Sequence, residues 1–234
     1  MIYRLRDDDY GFPPAEEAEA RYDGLLAVGG DFAPKRLLRA YMQGIFPWPM
    51  AEGDEVTWFS PDPRFVLMAT DFHLPKSLVK TLRRNLFTYT VDRAFPEVIH
   101  ACASVPRPGQ DGTWITKDLE AGYCELQRLG FAHSFEAWKD GELAGGFYGV
   151  SIGPCFFGES MFARVPDASK CAFATFASRM FKKGVPWIDC QVYTDHLARF
   201  GAREIPRCDY LKLLEDALTA GASEPRVDFF TDAP

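Results

Sequence analysis

His133–Val150, HSFEAWKDGELAGGFYGV, is the stretch whose reading decides the fold. Two runs of apolar and aromatic residues, His133–Trp138 and Glu142–Val150, flank Asp140-Gly141. That pair favours a tight two-residue hairpin because both positions accept positive φ. A turn at Gly153-Pro154 leads to a third strand at Cys155–Phe157, so an antiparallel meander is expected. Asp167 then caps a helix carrying Ala172, Phe173, Phe176 and Met180 at helical spacing, which Gly184 ends. A strand over Trp187–Tyr193, a short helix in TDHLARFG, a strand through Arg203 and Ile205 and a helix over Asp209–Leu218 follow. This order predicts an α/β protein, an α+β mixed sheet with helices on both faces, and a frayed tail after Ala220.

Upstream, the pattern predicts a helix over Lys117–Leu129, capped by Thr116, burying Leu119, Tyr123 and Leu126 and stopped by Gly130. A first helix spans Pro34–Gln43, with Leu37, Leu38, Tyr41 and Met42 as its buried stripe and Gly44 as its stop. GIFPWP follows, and its two prolines stiffen the backbone around Trp48. SPDPR at Ser60–Arg64 reads as the join to a second unit, because paired prolines favour extended backbone.

With 47% apolar and 25% charged residues in 234, the chain can bury a full core. The acidic opening MIYRLRDDDYGFPP lacks the apolar run of a signal peptide, and no stretch approaches the roughly 18 apolar residues that span a bilayer. A cytoplasmic protein without a membrane partner is expected. Six cysteines at wide, irregular spacing, without a CxxC pair or histidines at zinc-ligand spacing, read as reduced and mostly buried thiols. The sequence asks for no metal and no cofactor. It contains neither GxGxxG nor a P-loop, neither HExxH nor a glycine-framed serine nucleophile.

A net charge of −7 argues against a nucleic-acid partner unless basic charge is concentrated locally. PKSLVKTLRRN supplies one concentration: Lys76, Lys80, Arg83 and Arg84 fall at i, i+4, i+7 and i+8. As a helix it would oppose them to Leu78, Val79, Leu82 and Leu86. A solvated helix face explains the same pattern.

In IDCQV, Asp189 and Gln191 stand two apart on a strand and leave the same face, with Cys190 and Val192 opposite. An acid and an amide on a core-facing side are costly unless satisfied, so they are expected to line a cavity, which Glu159 could reach from the neighbouring strand. For each acid the alternative is a cap or an ion pair with Arg164, Lys170 or Arg203. Trp48 and Trp114, on stiff loops, suit stacking on bases. Phe156, Phe173 and Phe176 also fit plain core packing.

DGLLAVGGD (Asp23–Asp31), GIFPW, FSPDPR, GTWIT, HSFEAW, GGFYG, GESMF, ASK and IDCQ, in this order from Asp23 to Leu214, resemble the leucyl/phenylalanyl-tRNA-protein transferase family. The resemblance implies a small N-terminal α/β domain (1–62) and a larger GNAT-like, that is acetyltransferase-like, catalytic domain (63–234). It implies transfer of Leu or Phe, less readily Met, from aminoacyl-tRNA to proteins starting with Lys or Arg, marking them for N-end-rule degradation. It places Asp189, Gln191 and Glu159 as the polar catalytic set. Trp48, Trp114, Phe147, Phe156, Phe176 and Met180 would line the site for the amino-acid side chain and terminal adenosine. Phe147 stands where related sequences often carry Met. Lys76, Lys80, Arg83 and Arg84 would hold the tRNA, with Arg203 and Arg207 extending the basic patch, and the enzyme would act as a monomer.

The competing activity is an acyl-CoA-dependent N-acyltransferase of GNAT type, which holds pyrophosphate on a Gly-rich turn before the central helix. FARVPDAS, at that place, has no glycine. A non-enzymatic RNA-binding module would explain the basic segment and the indoles, but would leave Asp189, Gln191 and Glu159 without a purpose.

Overall fold

Asp140 and Gly141 both take positive φ, 53° and 85°, and close the hairpin that the sequence predicts. The structure is a computed structural model describing residues 1–48, 53–105 and 114–221. Its first half holds β1 (Tyr3–Arg4), β2 (Leu25–Val28), α1 (Pro34–Met42), β3 (Phe46–Pro47), β4 (Thr57–Phe59), β5 (Arg64–Met68), α2 (Lys76–Leu82), β6 (Thr88–Val91) and α3 (Phe95–Ser104). The second half holds α4 (Lys117–Arg128), β7 (Ala132–Lys139), β8 (Glu142–Ile152), β9 (Cys155–Ala163), α5 (Ala168–Lys182), β10 (Trp187–Gln191), α6 (Asp195–Ala198), β11 (Arg203–Ile205) and α7 (Arg207–Gly221).

The strands form two mixed sheets, as the α/β reading expects: β1-β2-β4-β3, and β11-β5-β10-β9-β8-β7-β6. In the larger sheet β9 and β10 run parallel, bridged by α5, and the other pairs are antiparallel. Side chains alternate across it. Phe135, Phe147 and Phe156 meet the α5 residues Ala172, Phe173 and Phe176 on one face, while Tyr148, Val150 and Phe157 join α3 and α4 on the other. The second cluster continues into the smaller sheet through Tyr41, Phe46 and Trp58.

Gly149 admits this packing, because a Cβ there would lie 2.5 Å from the Phe156 ring and 2.3 Å from the Phe157 carbonyl oxygen. Thr116 caps α4 by accepting from Leu119 N at 3.2 Å, and α4 buries Leu119, Tyr123 and Leu126 as its spacing predicts. The six cysteines are free thiols, four of them buried. Among the described residues no helix is long and apolar enough to cross a membrane.

Several local expectations are corrected. β9 continues to Ala163, since the ladder with β8 resumes past a bulge at Glu159, with Gly149 opposite Gly158 and Tyr148 opposite Ser160. β10 stops at Gln191, whose φ of 62° turns the chain before Tyr193. Asp167 takes the cap position of α5 at φ 65°, yet its carboxylate accepts from Lys170 Nζ at 2.9 Å and caps no backbone N–H. On α1, Arg36 is buried in place of the exposed Met42, because its guanidinium donates to the carbonyls of Asp9 and Arg6. α2 ends at Leu82 and Asn85 turns left-handed, which leaves Leu86 exposed. Strands β1 to β6 and helix α3 carry no periodicity strong enough to announce them. The tail after Ala220 falls on 222–234, outside the described residues, as do Pro49 of GIFPWP and the first two residues of GTWIT.

Candidate active site

The end of β10 is fixed by a buried charge pair. Arg64, at the start of β5, donates from Nε and Nη2 to Asp189 Oδ1 and Oδ2 at 2.9 and 2.6 Å. Both side chains are buried, and this two-pronged geometry is the kind that offsets desolvation. Tyr210 OH donates to Asp189 Oδ2 at 2.8 Å, and Arg64 Nη1 reaches the Gly44 carbonyl at 3.2 Å. The guanidinium lies over the rings of Phe46 and Tyr210. Burial works against its charge, but Asp189 beside it carries the net shift of the Arg64 pKa upward. GIFPW, FSPDPR and IDCQ, far apart in sequence, thus meet on one guanidinium. Asp189 pairs with none of the cations weighed for it; Arg164 reaches the Leu143 carbonyl and Lys170 binds Asp167.

Asp189 Oδ1 also accepts from the backbone N of Gln191 at 2.9 Å. This bond anchors Gln191 in its left-handed conformation, where the register against β5 shifts. The alternation holds through Cys190, which faces the apolar cavity together with Ile188 while the Asp189 carboxylate turns to Arg64 and Tyr210, and it fails at Gln191, which also lines that cavity.

The Gln191 side chain turns to Glu159, with Nε2 donating to Oε1 at 2.7 Å. Behind the carboxylate, Tyr41 on α1 donates to Oε1 at 2.7 Å and Tyr123 on α4 to Oε2 at 3.1 Å, and the two phenol oxygens lie side by side. Burial pushes the Glu159 carboxyl up to about 8, against the pull of these three donors. In the sequence both tyrosines fall on the apolar stripe of their helices. The available signal was that a buried phenol seeks a partner.

Glu159 and Gln191 face a cavity of about 370 Å³ whose apolar wall includes Phe147, Phe156, Met161, Phe173 and Ile188. Phe176 stands behind that wall, its ring centroid 4.6 Å from Phe156 and 5.0 Å from Phe147, and Met180 is buried in the same cluster. Trp48 and Trp114 do not line the cavity. They pack edge to face at 6.5 Å on the opposite cluster, beside Phe59 and on the side of Tyr41. A second, open hollow of about 930 Å³ is lined by Asp7, Asp8, Asp31, Asp54, Glu55 and Asp118 together with Arg4 and Arg6, and by none of the candidate catalytic or binding residues.

Lys76, Lys80, Arg83 and Arg84 are exposed and make no ion pair among the described residues, although the two arginines lie in the turn after α2. Arg203 and Arg207 do not extend this patch. Arg203 binds Asp71 at 2.8 Å, and Arg207 is buried, donating to the carbonyls of Ser60, Ala18 and Glu16.

Glu159 gives a stability prediction with a definite sign. Its folded pKa of about 8 stands above the model-compound value of 4.5, so the native state keeps a proton that the unfolded chain releases between those values. Wild-type stability therefore falls as pH rises from 5 to 8. Glu159→Gln is expected to gain about 1–2 kcal/mol on the wild type over that window, less than the full shift because the carboxylate meets water in the cavity. Urea unfolding at pH 5, 6.5 and 8 measures it, and parallel curves for the two proteins would disprove it.

Comparison with known proteins follows the same residues. Residues 30–62 match the family model described as leucyl/phenylalanyl-tRNA protein transferase N-terminal domain, and residues 66–215 the one described as leucyl/phenylalanyl-tRNA protein transferase. Similar curated proteins carry the name leucyl/phenylalanyl-tRNA–protein transferase. That of Myxococcus xanthus (strain DK1622) is 54% identical over 93% of this chain and 92% of its own length. That of Anaeromyxobacter sp. (strain Fw109-5) is 55% identical over 93% and 91%, and that of Laribacter hongkongensis (strain HLHK9) 52% over 94% and 93%.

Proposed function

The chain belongs to the leucyl/phenylalanyl-tRNA–protein transferase family, and from that premise we propose that it moves leucine or phenylalanine, less readily methionine, from aminoacyl-tRNA onto proteins beginning with Lys or Arg. It is an aminoacyltransferase, and its substrates are a charged tRNA and a protein. In this reading it works in the cytoplasm as a monomer, and transfer marks the acceptor for N-end-rule degradation.

The observation that carries the reading is the junction of Gln191 and Glu159 at the wall of an apolar cavity. Phe147 and Phe156, with Phe176 and Met180 behind them, give a hydrocarbon side chain its pocket. Trp48 and Trp114 are the stacking platform for the terminal adenine, and the charged face at Lys76, Lys80, Arg83 and Arg84 takes the phosphates.

The chemistry requires little force. The aminoacyl ester is already activated, and the acceptor's α-ammonium has a pKa near roughly 8, matched by the Glu159 carboxyl at about 8. Glu159 takes the ammonium proton, and Gln191 Oε1 accepts a hydrogen bond from the nitrogen and aims it at the ester carbonyl. The C–N bond forms and the C–O bond to the ribose breaks; of the two protons that the nitrogen gives up, the one on Glu159 passes to the departing oxygen and the other leaves to solvent. Holding amine and ester in line supplies most of the acceleration.

The division into a unit of residues 1–62 and a GNAT-like unit of 63–234 belongs to the same reading. The separate sheets on either side of Ser60–Pro63, and a parallel β9–β10 pair spanned by α5, support it.

Incubation with radiolabelled Phe-tRNA and an Arg-starting peptide tests the proposal. Label on the peptide supports it, whereas transfer from acetyl-CoA and none from tRNA would favour the acyl-CoA reading. A narrower expectation concerns the basic face. Lys76→Ala with Arg84→Ala should lower use of charged tRNA relative to aminoacyl-adenosine by about tenfold or more and flatten the salt dependence by about one to two units of slope. An unaltered slope would remove this face from the tRNA path.

A further inference from the structure

At the start of α2, next to the apolar cavity, lies a small hollow of about 60 Å³, lined by Pro75, Ser77, Asp167, Lys170, His196 and Arg199 among others. Lys170 and His196 line both the hollow and the cavity, so the two share a wall. Three helices supply it: Pro75 and Ser77 from the start of α2, Asp167 and Lys170 from the start of α5, and His196 and Arg199 from α6 and its end.

The charges there are unbalanced. Lys170 Nζ is bound by Asp167 at 2.9 Å, but Arg199 is exposed and makes no ion pair among the described residues. Two cations against one carboxylate leave one positive charge. The imidazole of His196 sits against the rings of Phe173 and Phe200, and its Nε2 is buried without a hydrogen-bond partner. Burial first, then the charges of Lys170 and Arg199, hold its pKa down at about 4 and keep the ring neutral. A buried nitrogen without a partner is costly in a folded protein, and a ligand that supplies the partner relieves that cost.

We propose that Lys170, Arg199 and His196 form a subsite for a phosphodiester in the single-stranded 3' end of the donor. The proposal rests on the transferase reading and adds a segment of the donor's path to it. With the amino-acid side chain in the cavity, the terminal ribose lies at its mouth, and the strand must run from there to the phosphates on α2. The hollow shares Lys170 and His196 with the cavity and takes Pro75 and Ser77 from the start of α2, so it adjoins both ends of that run. Lys170 and Arg199 supply charge, and the neutral imidazole supplies an N–H to a phosphate oxygen. Asp167 opposes the anion, and its bond to Lys170 offsets part of that repulsion.

The test compares donors that grow by one phosphodiester and its cytidine at a time, phenylalanyl-adenosine, phenylalanyl-CpA and phenylalanyl-CpCpA, each with an Arg-starting peptide. In the wild type kcat/KM rises as phosphodiesters are added. In Arg199→Gln and in Lys170→Gln that rise is expected to shrink about tenfold, the scale of one charge-assisted contact, and Arg199→Lys should restore most of it. Arg199 is exposed, so its variants serve even where a change at Lys170 disturbs the first turn of α5. A rise of wild-type size in both Gln variants overturns the subsite. Failure of the wild-type enzyme to use any of these donors or charged tRNA overturns the transferase reading instead.

Discussion

Asp189→Ala is expected to cost the fold about 3–5 kcal/mol and to abolish transfer, because it leaves the Arg64 guanidinium buried without its partner. The same change removes the acceptor that holds the backbone N of Gln191, so the amide of that residue loses its position together with the fold's charge balance. Arg64→Ala should do equal damage from the other side. Stability and catalysis can be separated by replacing the polar group as a whole. Arg64→Met with Asp189→Leu and Tyr210→Phe exchanges the pair and its phenol for apolar groups, and much of the lost stability should return. Transfer should not return, since nothing then anchors Gln191. Urea unfolding and single-turnover transfer from Phe-tRNA measure the two effects. Near-normal transfer by Asp189→Ala at saturating substrate would remove Asp189 from the mechanism.

The second large effect belongs to the Gln191–Glu159 junction. Glu159→Gln keeps the hydrogen bond from Gln191 but cannot take a proton, and a fall in kcat of about 10²–10⁴-fold is expected. In the wild type kcat should rise toward pH 8 as the carboxyl ionises, and the variant should lose the enzyme's share of that limb. Gln191→Gly removes the amide while relieving the left-handed backbone at φ 62°. It should lose transfer by about 10²-fold or more yet exceed Gln191→Ala in stability by about 1–2 kcal/mol. A Gly variant that transfers at wild-type rate would show that the Gln191 amide plays no part.

The sequence displayed the elements whose signals are local. Asp140-Gly141 fixes its turn by φ alone, Thr116 caps α4 with its own hydroxyl, and Gly184 stops α5. None of these depends on a distant residue. Strands β1 to β6 are short and gain their geometry from partners elsewhere in the chain, so no period marked them. The turn at Gln191 was hidden for the same reason: a side chain that leaves the period of its strand requires a bulge, and the bulge depends on the register with β5.

What the sequence by itself determined is the meander, the helices with caps and stops, the presence of a polar trio Glu159, Asp189 and Gln191, and, through motif resemblance, the family. Only the tertiary structure decided how the trio is held: Arg64 beneath Asp189, Tyr41 and Tyr123 behind Glu159, and Lys170 on Asp167 rather than on a site acid. The reason is physical. A buried charge must find its partner in space, and contacts across 125, 118 and 36 residues leave no periodic trace along the chain that makes them.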